Sequence, residues 1–216
     1  MEKKEKKERD LKYLCRLFWI FIIGSLVGFA YENILVLFQK GHFVLRQGLI
    51  YGPLIPVYGI GAVIYEIIIP KMESPLKSFF YSMFLGAVVE YICSYVQEVL
   101  FGTISWDYHW VKINFNGRTS ILHAFYWGLA GVIFYDIVHP WFNRIMTRPF
   151  TKRTIVVTGV TLTFILIDVF LSWSACYRQK ERVLNIEPRS EFDVFLDEHY
   201  PDEKIDKIYT NKILKI

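Results

Sequence analysis

The chain has 216 residues, of which 53% are hydrophobic and 18% aromatic. Soluble globular domains are about 45–50% apolar even with glycine counted, so this composition excludes an ordinary soluble domain. The net charge of +4 is small, and the basic side chains gather in the N-terminal leader and one loop, which indicates membrane anchoring rather than a nucleic-acid partner.

Five long apolar segments follow the leader, and none of them contains Lys or Arg. They cover residues 17–38, 50–69, 78–101, 121–141 and 155–177. A helix over the first segment would reach about 33 Å, enough to cross a hydrocarbon core of about 30 Å. We therefore predict an all-α bundle of about five transmembrane helices over residues 14–177. A basic leader (1–13) precedes this bundle and a soluble, partly helical tail (178–216) follows it.

The second segment opens with the sequence IYGPLIPVYGIGA. Pro53 and Pro56 each lack a backbone N–H, so we expect a Gly/Pro-broken or re-entrant entrance to this helix. In the tail, we expect Ser190 to cap a short helix with Asp193 at its third position.

Charge distribution predicts the topology. Residues 1–13, 70–77 and 142–154 carry 12 Lys and Arg, whereas residues 39–49 and 102–120 carry 4. We therefore predict a multi-pass protein of the cell membrane, and the positive-inside rule places its N-terminus in the cytoplasm. The basic segments are expected to contact membrane lipids. The side of the tail stays open, because five crossings place it outside whereas Arg178, Lys180 and Arg182 follow the last segment directly.

Every apolar segment carries acid, and a bilayer tolerates buried carboxylates only where they face a protein interior or a wet cavity. Glu32, Glu90 and Asp168 lie toward the predicted outer side, where loop arginines could pair with them. This set predicts either a polar pocket or salt bridges that hold loops on the bundle. Glu66, with Asp136 and His139, lies near the cytoplasmic ends, where we expect solvated helix ends, with a proton relay as the alternative.

Signatures of soluble enzymes are absent. The chain has no phosphate-binding loop, no H-E-x-x-H and no G-x-S-x-G, so we expect neither an ATPase nor a hydrolase of those classes. The histidines are dispersed, and Cys15, Cys93 and Cys176 show no paired spacing. We therefore expect no metal and no other cofactor.

Four stretches carry a family resemblance: SLVGFAYE (25–32), FVLRQGLIYGPLIPVYGIGA (43–62), WDY (106–108) and NFNGRTSILHAFYWGLAG (114–131). They resemble the bacterial family of small multi-pass membrane proteins described as Putative ABC-transporter type IV, or ABC-transporter permease. The resemblance covers most of residues 14–145. The motif positions are Glu32, Arg46, Gly48, Tyr51, Gly52, Pro53, Pro56, Tyr58, Gly59, Glu90, Trp106, Asp107, Tyr108, Asn116 and Gly117.

The resemblance implies a transport component that works with a separate ATP-hydrolysing subunit or another membrane protein. The predicted substrate-binding residues, around an outward-facing polar cavity, are Glu32, Arg46, Tyr51, Glu90, Asp107 and Arg118. One alternative is an intramembrane enzyme or binder that holds a lipid or lipid-linked phosphate between Arg46 and Arg118, with Glu32 or Glu90 as a base. The other is a non-catalytic membrane scaffold.

Overall fold

Long apolar helices make up most of the fold. The computed structural model describes residues 2–72, 74–146 and 151–215. The α-helices are α1 Glu2–Lys40, α2 Pro56–Ile68, α3 Pro75–Phe101, α4 Ile121–Ile133, α5 His139–Met146, α6 Lys152–Val183, α7 Glu191–His199 and α8 Asp202–Ile208. The short strands are β1 Thr103–Ile104, β2 Asn114–Phe115, β3 Thr119–Ser120 and β4 Ile213–Leu214.

Four helical stretches in the described residues are long and apolar enough to cross a membrane. They are Glu5–Lys40, Pro75–Phe101, Ile121–Ile145 and Lys152–Val183. The third joins α4 to α5 through a π-helical turn, Phe134–Val138. These helices confirm the prediction of an all-α, multi-pass membrane protein.

The second predicted segment differs from the others in length. Its helix, α2, begins only at Pro56 and has 13 residues, about 20 Å of rise, before a 3₁₀ turn over Ile69–Lys71. The six residues before Pro56 are not helical, so the predicted break is present. Leu49 and Leu54 are buried, at 1% and 4% exposure, because irregular backbone at this depth needs protein around it.

Helix pairs pack closely where small residues face larger ones. A Cβ atom added at Gly86 in α3 would collide with the side chain of Trp127 in α4. One added at Gly24 in α1 would lie 2.7 Å from the Cβ of Ala62 in α2. These contacts make α1–α2 and α3–α4 the two most closely packed helix pairs, and close approach through small residues is how helices associate in lipid.

The tail folds back onto the loops that join the helices. Strand β4 near the C-terminus pairs antiparallel with β1, which directly follows α3. The hydroxyl of Ser190 accepts a hydrogen bond from the N–H of Asp193, so the predicted cap of α7 is confirmed. The tail therefore lies on the same side of the bundle as residues 41–55 and 102–120. We call this side, formed by residues 41–55, 102–120 and 184–215, the loop face.

Candidate functional site

Glu32 is held by an arginine and a phenol. Its Oε2 atom lies 2.8 Å from Nη1 of Arg46, and its Oε1 atom accepts a hydrogen bond of 2.6 Å from the hydroxyl of Tyr58. The neighbouring side chain of Asn33 donates to the carbonyl of Arg46 at 2.8 Å and accepts from its N–H at 2.9 Å. The end of α1 thus fixes both the backbone and the guanidinium of Arg46.

Glu90 lies in α3 and is 6% exposed. Its Oε1 atom accepts a hydrogen bond of 2.9 Å from the Tyr108 hydroxyl, and its Oε2 atom accepts one of 2.7 Å from Thr119. Among the described residues, Glu90 forms no salt bridge. The carboxyl group is therefore oriented by two hydroxyl groups and has no neutralising cation.

Tyr108 contacts Glu90 and lies close enough to Glu32 to be affected by its charge. Its ring stacks on the imidazole of His123, with 3.6 Å between the centroids and 15° between the planes. Burial raises the pKa of Tyr108 well above its ordinary value, and the negative charges of Glu90 and Glu32 raise that pKa further. Both carboxylates therefore act on the same phenol, although they belong to different helices.

Arg118 is engaged elsewhere. Its Nη2 atom lies 2.6 Å from Oε2 of Glu98, which is about two helical turns beyond Glu90 along α3. Its guanidinium carbon also lies 5.8 Å and 5.4 Å from the ring centroids of Tyr91 and Tyr95. This arginine is thus held along α3 by a carboxylate and two aromatic rings, and it does not bind Glu32 or Glu90.

Asp107 and Tyr51 contact the tail. Asp107 pairs with the ring of His109 and lies 3.4 Å from Nζ of Lys215. The hydrogen bond from the backbone N–H of His109 lowers the pKa of Asp107. The Tyr51 hydroxyl lies 2.8 Å from the hydroxyl of Tyr200, which belongs to the tail.

The six predicted residues thus divide into groups. Glu32 and Arg46 form a pair, Glu90 binds Tyr108, whose phenol also responds to the charge of Glu32, and the other three residues have partners of their own. Tyr58 and Tyr108 stand at motif positions but were not predicted as site residues. Thr119 belongs to no motif position, and only its place in β3, opposite α3, brings it to Glu90.

A family model described as Putative ABC-transporter type IV matches residues 19–173. The chain belongs to this family. The matched region includes all six predicted site residues, together with Tyr58, Tyr108 and Thr119. Neither a curated protein nor a solved structure matches the chain.

A second polar cluster lies at the opposite end of the bundle. Nε of Arg16 lies 2.7 Å from Oε1 of Glu66, and Nδ1 of His139 lies 2.9 Å from Oε2 of the same carboxylate. Asn143 accepts a hydrogen bond of 2.7 Å from Arg16. Arg16 and Glu66 are 8% and 7% exposed, so the expectation of a solvated helix end is wrong for Glu66, whereas Asp136 is exposed.

Proposed function

We propose that this chain is the membrane-embedded component of a transport system and that its substrate binds around Glu90, Glu32 and Tyr108. One observation carries the proposal: Glu90, in a membrane-crossing helix, is bound by the partly buried phenol of Tyr108 and has no cation, and the charge of Glu32 acts on the same phenol. Ionisable groups at this depth are costly, and they mark substrate or ion pathways in membrane proteins. The family description supports a role in transport.

The charge balance around the site favours a cationic solute. Arg46 is paired with Glu32 and Arg118 with Glu98, so each guanidinium already has a carboxylate partner. Glu90 keeps an uncompensated negative charge whenever it is ionised. The aromatic ring of Tyr108 lies beside it, since its hydroxyl donates to the carboxylate, and aromatic rings attract organic cations such as quaternary ammonium groups.

The same contacts disfavour the alternative of a phosphate headgroup. That alternative needs Arg46 and Arg118 to grip one phosphate, but they belong to different loops and bind different carboxylates. Binding of a phosphate would have to break two ion pairs, one of which is 2.6 Å long. A lipid or lipid-linked phosphate substrate therefore becomes an outcome of the test below.

We further propose that the N-terminus is cytoplasmic, with the loop face outward. The arginines after the last crossing fit this orientation, since Arg178 and Arg182 both pair with Asp197 of the tail rather than with lipid headgroups. A separate ATP-hydrolysing subunit would then dock at the leader end. Membrane-impermeant labelling of single cysteines placed in the leader and in the tail tests this: only the tail position should react in intact cells.

Ligand-induced stabilisation of the purified full chain tests the substrate class. Choline or tetramethylammonium at ten times its Kd should stabilise the wild type by about 1.4 kcal/mol. This gain should disappear in Glu90→Gln and persist in Asp136→Asn, which removes an exposed acid in the opposite half of the bundle. Stabilisation by glycerol phosphate that depends on Arg118 would favour the headgroup alternative. No stabilisation by either class would favour the scaffold alternative.

A further inference from the structure

Asp168 is the most deeply buried carboxylate of the described chain, at 1% exposure, and it lies within membrane-crossing helix α6. Its Oδ1 atom accepts hydrogen bonds of 3.1 Å from the backbone N–H of Tyr51 and 3.1 Å from the hydroxyl of Ser172. Its Oδ2 atom is buried and has no hydrogen-bond partner. One oxygen is therefore fixed in place while the other is unused.

The surroundings of Asp168 offer no cation. The unwound segment before α2 contributes Tyr51, and the tail contributes Tyr200 and Tyr209, two phenols that interact electrostatically with this carboxyl group. Burial raises the pKa of Tyr200 to about 12, so this phenol is neutral at physiological pH. Within the described residues, Asp168 has no salt bridge.

Helix α6 and the end of the tail add two more groups near this site. Cys176 lies two turns along α6, and its thiol interacts with Tyr209. Lys212 is the cation that acts on Cys176, but its ammonium group is bound to Asp206 and to Gln179. This lysine therefore does not neutralise Asp168.

A buried carboxyl group in these surroundings is far more stable as a neutral acid than as an ion. An ionised Asp168 would leave a whole charge uncompensated in a low-dielectric interior, whereas the neutral acid leaves one hydroxyl without an acceptor. No cavity is needed, because a proton occupies no additional space. We propose that Asp168 is a proton-binding site, with Oδ2 taking up a proton from the aqueous phase at the loop face.

The position of Asp168 shows what covers it. The residues above it are Ile50 and Tyr51, whose N–H groups donate to Ser172 and Asp168, and the tail residue Tyr200, which is 4% exposed. Tyr51 is 44% exposed, and its hydroxyl is bonded to that of the buried Tyr200. We expect protons to reach Asp168 from the loop face, past the docked tail. This site is separate from the group around Glu90.

Infrared spectroscopy of the full chain in lipid nanodiscs tests the proposal. The carbonyl stretch of a protonated carboxylic acid should be present at pH 7, shift in D₂O, and disappear reversibly as the pH is raised. The band should be lost in Asp168→Asn, which keeps the Oδ1 acceptor, and kept in Asp136→Asn. Circular dichroism of each variant checks that its helix content is unchanged.

Ser172→Ala adds a readout that a purely structural role would not give. Because the Ser172 hydroxyl stabilises the ionised form, its removal should move the disappearance of the band to higher pH. Absence of the band at pH 7 would overturn the proposal. If the thermal unfolding midpoint of the full chain then rises with NaCl but not with the same concentration of choline chloride, Asp168 is part of a sodium site instead. A band that never exchanges in D₂O and never responds to pH would also overturn it.

Discussion

Removing the buried cation of the leader-end cluster should strongly destabilise the bundle. In the Arg16→Met variant the carboxylate of Glu66, whose side chain is only 4% exposed, loses its partner at 2.7 Å. Breaking a buried ion pair by removing one partner costs about 3–5 kcal/mol, because the remaining charge is uncompensated. Nδ1 of His139 still lies 2.9 Å from Glu66 and can form a hydrogen bond with it. We therefore expect a loss at the low end of this range, about 3 kcal/mol.

Removing both charges should cost much less than removing one. In the double variant Arg16→Met with Glu66→Leu, no buried charge remains, and apolar replacements of a buried pair are frequently neutral. We expect a loss of about 1 kcal/mol or less, well below the sum of the two single variants, because each single variant leaves one buried charge without its partner. His139 and Asn143 keep their own hydrogen bond of 2.9 Å in this variant.

Reversible unfolding of the full chain in mixed detergent micelles, followed by the fluorescence of its 6 Trp, measures these differences. The matched control is Arg9→Met, which removes an exposed cation from the same helix and should change the stability by at most about 0.5 kcal/mol. The reasoning fails if Arg16→Met is as mild as Arg9→Met. It also fails if the double variant loses as much stability as the two single variants together.

Three further predictions concern the tail and helix packing. Cysteines at Ile104 and Ile213, in a chain without its native cysteines, should form a disulfide, because these residues are directly paired across β1 and β4; monomer with free thiols after oxidation would refute the docked tail. Arg178 and Arg182 lower the pKa of Asp197 in the folded chain. The ionised Asp197 therefore stabilises the docked tail fully above its unfolded-state pKa of about 3.9, and this stabilisation is lost as the pH falls through its folded-state pKa. Protection of the tail amides, measured against the intrinsic exchange rate at each pH, should therefore stay high from pH 7 to about pH 4 and fall below it. Gly86→Val should destabilise the bundle by about 1–3 kcal/mol through a clash with α4, whereas Gly159→Val, which meets nothing within 4 Å, should not.

Local sequence rules were sufficient for most of the membrane helices. Long segments without Lys or Arg predicted the crossings, and Pro53 with Pro56 predicted the unwound entrance, since both signals act within a few residues. The docking of the tail could not be predicted in the same way. It depends on pairing between β1 and β4, more than 100 residues apart, and two-residue strands leave no hydrophobic pattern to read.

The burial of Arg16 was missed for a different reason. Arg16 lies between the basic leader (1–13) and the first apolar segment (17–38), so neither pattern includes it. Helical periodicity contained the missing signal: Arg16 stands four residues before Ile20, which is 1% exposed, so the two side chains share the face of α1 that packs into the core. With Glu66 on the neighbouring helix, that face needed a cation.

The predicted outward-facing polar cavity stays a prediction, and the contacts show why the acidic residues need not share one. An ion pair with a nearby cation reduces the free-energy cost of burying a carboxylate. Glu32, Glu66 and Glu98 each form such a pair with a different arginine. Glu90 and Asp168 have hydroxyl and N–H donors but no cation. Neutral amide variants at these two positions break no salt bridge, so a loss of binding or of proton uptake there can be separated from a loss of stability. These two carboxyl groups are therefore the most informative positions for testing function.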